Sequence, residues 1–140
     1  MAEVKVAATQ FAAAQAREDN VVTAERLVRD ASAKGANIVL LQELFETHYF
    51  CKDQEQSLFS LAMPAKGHPT LTRMAALARE LGVVLPVSFF ERANNAYYNS
   101  IMVIDADRVY QDFGALKERF QAARWPTRPT RLPVRTASAM

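Results

Sequence analysis

The chain has 140 residues, half of them apolar and 23% charged, a balance that suits one folded domain and excludes a wholly disordered or fibrous chain. Its net charge of +2 is no nucleic-acid signature: residues 1–118 hold 12 Lys and Arg against 15 Asp and Glu, and the excess comes from Arg119, Arg124, Arg128, Arg131 and Arg135, in a stretch with no acid. No apolar run approaches the roughly 18 residues that span a bilayer, and the start lacks a basic segment followed by a long apolar one, so a cytoplasmic location with neither membrane nor nucleic-acid partner is expected.

Residues 4–11 (VKVAATQF) are short, apolar and β-leaning, which suits a buried first strand. From Val21 the apolar positions Val21, Ala24, Leu27, Val28 and Ala31 recur at three- and four-residue steps, with Gly35 as the stop, and predict an amphipathic helix. Residues 38–41 form a continuous apolar run, as in a strand covered on both faces, and it ends at Gln42 and Glu43. Pro69 and Thr70 introduce a second helix through Leu71, Met74, Ala75, Ala78 and Leu81, with Gly82 after it. Residues 83–90 (VVLPVSFF) predict a third strand, bulged or ending near Pro86 because proline removes a ladder hydrogen bond. Asn94 and Asn95 supply a turn, and residues 98–105 (YNSIMVID) a fourth strand, antiparallel to the third.

The order β-α-β-α-β-β predicts a layered α/β sheet. Beyond Asp107 the pattern deteriorates. Residues 113–120 could form a short helix, but residues 119–140 hold three of the six prolines and mix Arg, Thr, Pro and Ala without period. The expected division is therefore a folded part, 1–107, and a divergent, disordered tail, 108–140.

Candidate chemistry centres on Glu43, a carboxylate directly after a buried apolar strand, where open α/β sheets bind ligands. Two readings of its position stand: a partly desolvated carboxylate fit for general-base work, or a strand-end Glu that caps a helix or is solvated. The lone Cys51 excludes an internal disulfide and a multi-cysteine metal site, and His48 and His68 are too far apart to suggest a metal cluster. No cofactor is expected. A nucleotide-binding α/β domain would need a Gly-rich phosphate loop, and the four glycines, Gly35, Gly67, Gly82 and Gly114, stand apart.

The stretch LLQELFETHYF (residues 40–50), with VKVAATQF, AERLVRDASAKGANIVLLQE and LGVVLPVSFFERANNAYYNSIMVIDAD, resembles the nitrilase superfamily of carbon-nitrogen hydrolases, and within it the N-carbamoylputrescine amidases. The resemblance covers residues 4–107 or thereabouts. It implies a partial α-β-β-α sandwich, an assembly in which the intact enzyme is a homo-oligomer, and a small carbamoyl or amide substrate. The implied reaction is N-carbamoylputrescine plus water to putrescine, carbon dioxide and ammonia, a step of polyamine biosynthesis that uses Glu, Lys and Cys without metal or organic cofactor. Glu43 matches the glutamate base of that triad. The base makes a thiolate, which attacks the unreactive carbamoyl carbon, while a lysine ammonium stabilises the developing oxyanion.

The sequence departs from the family's pattern where the other two residues are expected. Asp107 is followed by RVYQDFGALKERF, in which Lys117 lacks the aromatic-basic pair that precedes the family's lysine, and reads as a solvated lysine on a short helix rather than as the catalytic one. Cys51 falls eight residues after Glu43 and reads as a buried small side chain rather than the nucleophile. Tyr49 and Phe50 are candidate walls of a substrate pocket beside Glu43, with core packing as the alternative. Tyr97, Tyr98, Asn99 and Ser100 read as hairpin packing and turn hydrogen bonds with no catalytic role, and Glu46 and His48 as polar loop residues. The chain is thus expected to be incomplete and inactive alone, with a shifted reading frame after Asp107. The alternative is a non-catalytic α/β fragment or pseudoenzyme that pairs with an intact homologue.

Overall fold

A computed structural model of the chain describes residues 4–53 and 55–106, together with the backbone of Val109–Tyr110. Strand β1 (Val6–Ala8) and strand β2 (Ile38–Leu40) run parallel, with Val6 opposite Ile38 and Ala8 opposite Leu40. Parallel neighbours need a long crossover, and helix α1 (Arg17–Ala33) supplies it. The helix starts one turn before Val21, because Glu18 and Asp19 suit a helix N-terminus and Asn20 is buried with its side chain on Ala14 and Glu46. β1 is shorter than residues 4–11: past Thr9 the backbone of Phe11 is bonded by the Gln42 side chain, at 2.8 and 3.1 Å, instead of by a strand.

Two 3₁₀ segments, Phe50–Lys52 and Gln56–Leu61, follow β2, and then helix α2 (Pro69–Leu81). Gly82 ends α2 at φ 66°, a left-handed conformation that costs glycine little. Strand β3 (Leu85–Ala93) pairs antiparallel with strand β4 (Ala96–Ile104) in unbroken register, and β4 with strand β5 (Val109–Tyr110). Asn94, at φ 56°, opens the two-residue turn between Ala93 and Ala96, the positive φ that such hairpins require.

Pro86 causes no bulge: it pairs with Val103. Val84 bonds β2 through both its N–H and its C=O, so the backbone N of Pro86, two residues on, faces β2 and not β4: the proline ends the β2 ladder at Val84 and leaves the pairing with Val103 intact. The Ile38–Val84 bridge joins the two strand groups in the order β1-β2-β3-β4-β5. β5 shows that the sheet continues past the boundary expected at residue 107. The expected tail disorder, the helix at residues 113–120 and Lys117 lie outside the described residues.

Both helices cover one face of this sheet. Val21, Ala24 and Val28 of α1 and Leu71, Met74, Leu77 and Ala78 of α2 meet Val39, Leu85, Val87, Phe89, Met102 and Ile104 in one core. Burying each large side chain contributes about 1.5–3 kcal/mol. Arg73 forks onto Glu25 and Glu18, and Arg29 onto Glu80, which ties α2 to α1 at the surface.

The opposite face of the sheet is also apolar. Alternation places Val6, Ala8, Ile38 and Leu40 there, with Val84, Pro86, Ser88 and Phe90 of the third strand and its approach, and Asn99, Ile101 and Val103 of β4. Val6 is 68% exposed, Leu40 44% and Ile101 43%, so no described element covers this part of it. At its far end Phe90 packs with Leu44, Phe50 and Ala62 in a second cluster, with Phe59 and Tyr97 against it.

Candidate active site

Three residues after β2, Glu43 stands at the border between the open apolar face and the aromatic cluster. Leu44 follows at φ 50°, a conformation that a branched side chain adopts only under constraint. Two constraints are visible: the Leu44 side chain is buried in the aromatic cluster, and its backbone N–H donates to Ser88 Oγ at 3.1 Å. The Ser88 hydroxyl donates to Asn99 Oδ1 at 3.3 Å, and Asn99 Nδ2 donates to Glu43 Oε1 at 2.5 Å. These bonds close a circuit through the β2 exit, β3 and β4 that begins and ends at the Glu43–Leu44 pair.

Glu43 lies three residues past β2, in a turn rather than directly after the strand, and its side chain is exposed, not partly desolvated. The turn at Leu44 brings it out over the uncovered face. Tyr49 is half-exposed and close enough for Glu43 to push its phenol pKa up, with Cys51 adding to the effect. Burial pushes the Cys51 thiol up, and the negative charge of Glu43 pushes it further. That is the reverse of nucleophile activation, which needs a cation or base that stabilises the thiolate. Phe50 is only 6% exposed, and its ring packs 4.8 Å from that of Phe90, which gives it to the core.

Sequence reasoning missed three partners. Asn99 was assigned to hairpin packing, yet it holds the Glu43 carboxylate. Glu46 is no loop solvent residue: it is 5% exposed, with Oε2 3.6 Å from Nε2 of His68, itself 1% exposed at the start of α2. Gln42 clamps the segment after β1.

The family model described as carbon-nitrogen hydrolase matches residues 5–130. The chain belongs to the carbon-nitrogen hydrolase family. The match extends beyond Asp107, where the motif resemblance stops, and takes in Lys117. The chain is similar to the N-carbamoylputrescine amidase of Solanum lycopersicum, 62% identical over 104 residues that make up 74% of this chain and 35% of that protein. It is also similar to a citrullinase of Francisella tularensis subsp. tularensis, 41% identical over 107 residues, 76% of this chain and 37% of that protein. A solved carbon-nitrogen hydrolase from Helicobacter pylori G27 matches with a TM-score of 0.68 at 30% identity, covering 78% of this chain and 39% of that one. The chain therefore spans little more than a third of the length of the curated relatives it matches. Its fold is the nitrilase fold in that region, one helical layer on one sheet. Among the described residues no helix is long and apolar enough to cross a membrane.

Proposed function

We propose that this chain supplies the general base of a carbon-nitrogen hydrolase acting on a carbamoylated amine, with N-carbamoylputrescine as the substrate and putrescine, carbon dioxide and ammonia as products. The observation that carries the reading is Glu43, an exposed carboxylate held by Asn99 at the end of β2, in a segment 62% identical to an N-carbamoylputrescine amidase. The citrullinase relative favours the same chemical class, since citrulline and N-carbamoylputrescine both end in a ureido group.

In this reading Glu43 accepts a thiol proton, the thiolate attacks the ureido carbon, and Glu43 passes that proton to the leaving nitrogen, so that ammonia departs as the covalent carbamoyl intermediate forms and the carboxylate is restored. Glu43 then takes a proton from the water that releases the carbamate, which breaks down to carbon dioxide and the amine. Tyr49 lies on the substrate side of Glu43, with Phe50 behind it. Cys51, the one cysteine in the sequence, is not the nucleophile, because its surroundings favour the protonated thiol. In this reading the thiol is then not among these 140 residues and another polypeptide segment supplies it, while the lysine and a second layer over the exposed Val6, Leu40 and Ile101 come from outside the described residues or from a partner polypeptide. The apolar face is what favours the second form of this reading, a chain that acts only when paired.

The test is a chimera in which residues 4–107 replace the matching segment of the tomato relative, assayed for ammonia release from N-carbamoylputrescine beside the 140-residue chain alone. The chimera is expected to turn over and to lose on the order of 10²–10⁴ in rate on Glu43→Gln, the usual worth of a general base. The chain alone is expected to release none. A dead chimera, or turnover indifferent to Glu43→Gln, would overturn the proposal.

A further inference from the structure

The hydrogen-bonded circuit around Glu43 assigns roles to two residues outside any triad. We infer that Asn99 and Ser88 are positioning residues that hold the Glu43 carboxylate in one orientation, with Oε1 occupied and Oε2 left to take the proton. The inference rests on the reading of Glu43 as the base.

Each link has a directional reason. Asn99 can satisfy Glu43 only through its amide N–H, which fixes Oδ1 as the end that faces Ser88. The Ser88 hydroxyl must then donate to Oδ1, and its remaining lone pair accepts the Leu44 N–H. Turning the Asn99 amide over would set acceptor against acceptor at Glu43, and turning the Ser88 hydroxyl toward Leu44 would set donor against donor. Ser88 is 8% exposed, so its hydroxyl has little recourse to water. The Leu44 backbone is the residue next to Glu43, so the circuit fixes both the turn that presents the carboxylate and the carboxylate itself. Among the described residues no donor reaches Oε2, which leaves that oxygen as the proton acceptor.

The sheet supplies the rigid frame. Ser88 pairs with Ile101 and Phe90 with Asn99, so Ser88 and Asn99 are diagonal neighbours on the outer face. They are the polar side chains on an otherwise apolar stretch formed by Pro86, Phe90, Ile101 and Val103. A structural role alone would be better filled by two more apolar residues, because half-exposed hydrogen bonds add little stability compared with buried area.

The experiment measures the conformation of Glu43 in the full chain by NMR, from the side-chain three-bond couplings and the methylene relaxation. Wild-type Glu43 is expected in a single rotamer. Asn99→Ala should average it over at least two rotamers while amide exchange at Val39 and Val87 stays unchanged. Ser88→Ala should speed exchange of the Leu44 amide tenfold or more and partly release Glu43, and Ser88→Thr, which keeps the hydroxyl, should restore both. An averaged Glu43 in the wild type, or one that stays fixed in both Asn99→Ala and Ser88→Ala, would overturn the inference. Because this readout does not depend on turnover, a fixed Glu43 that Asn99→Ala releases, together with a chimera indifferent to Glu43→Gln, would support positioning while sinking the base reading.

Discussion

Replacing His68 with Phe tests whether the buried His68–Glu46 contact makes the fold acid-sensitive. His68 faces Glu46 from the loop after β2, Arg17 from α1, Glu91 from β3 and the edge of Phe89, whose ring centroid is 5.3 Å away. Among the described residues neither ring nitrogen has a hydrogen-bond partner. Burial lowers the pKa below the ordinary 6.5, and the attraction of Glu46 only partly offsets this. The folded state therefore favours the neutral imidazole, while the unfolded chain takes up a proton below about pH 6.5. Stability from this residue is present above 6.5 and is lost as pH falls toward the lowered folded value. The largest slope is one proton, about 1.4 kcal/mol per pH unit. Phe fills the same place against Phe89 and carries no proton. Urea unfolding from pH 8 to pH 4.5 should show the wild type losing stability relative to His68→Phe below pH 6.5, which cancels the carboxylates common to both. Parallel curves would refute the argument, and a wild type that gained stability in acid would mean that His68⁺–Glu46⁻ pairing outweighs burial.

Two other outcomes are expected. Iodoacetamide should modify Cys51 more slowly at pH 7.5 than it modifies glutathione, and Glu43→Gln should speed the reaction by removing a charge that opposes the thiolate; a Cys51 faster than glutathione would make it a candidate nucleophile after all. The double substitution Val6→Lys and Leu40→Lys should reduce self-association of the purified chain in analytical ultracentrifugation without altering its far-UV spectrum, since both side chains project from the uncovered face; unchanged association would place the contact elsewhere.

The helical layer was legible because its signal is local. Leu71, Met74 and Ala78 recur at helical spacing and all three are buried in the core, and Gly82 stops α2 where the spacing ends. The strands were legible in type and less so at their ends. Residues 4–11 read as one strand on apolar content, but the strand spans only Val6–Ala8, because β2 is three residues long and the Gln42 side chain takes over pairing at Phe11. Pro86 misled for a related reason. A proline disrupts only the ladder that its missing N–H would have joined, here the one to β2, and the sequence does not show which neighbour that side of the strand faces.

The site divides in the same way. Glu43 was visible as a carboxylate at a strand end, whereas its exposure depends on the left-handed turn at Leu44, a conformation that no leucine announces. Glu46 and His68 stand 22 positions apart, and their burial comes from packing a loop against the start of α2. Asn99 and Ser88 are different, because the information for them was present. A two-residue turn at Asn94–Asn95 fixes every pair of the β3–β4 hairpin, and with it the diagonal contact of Ser88 and Asn99 on one face. Ser88 is buried on a face otherwise built from Pro86, Ile101 and Val103, and a buried hydroxyl is rarely left unpaired, so it calls for a polar partner such as its diagonal neighbour Asn99. The nearest carboxylate at a strand exit is Glu43. The Ser88–Asn99 link was thus within reach of the hairpin register, and reading the YNS step as hairpin packing and turn hydrogen bonds stopped short of the bond from Asn99 to Glu43.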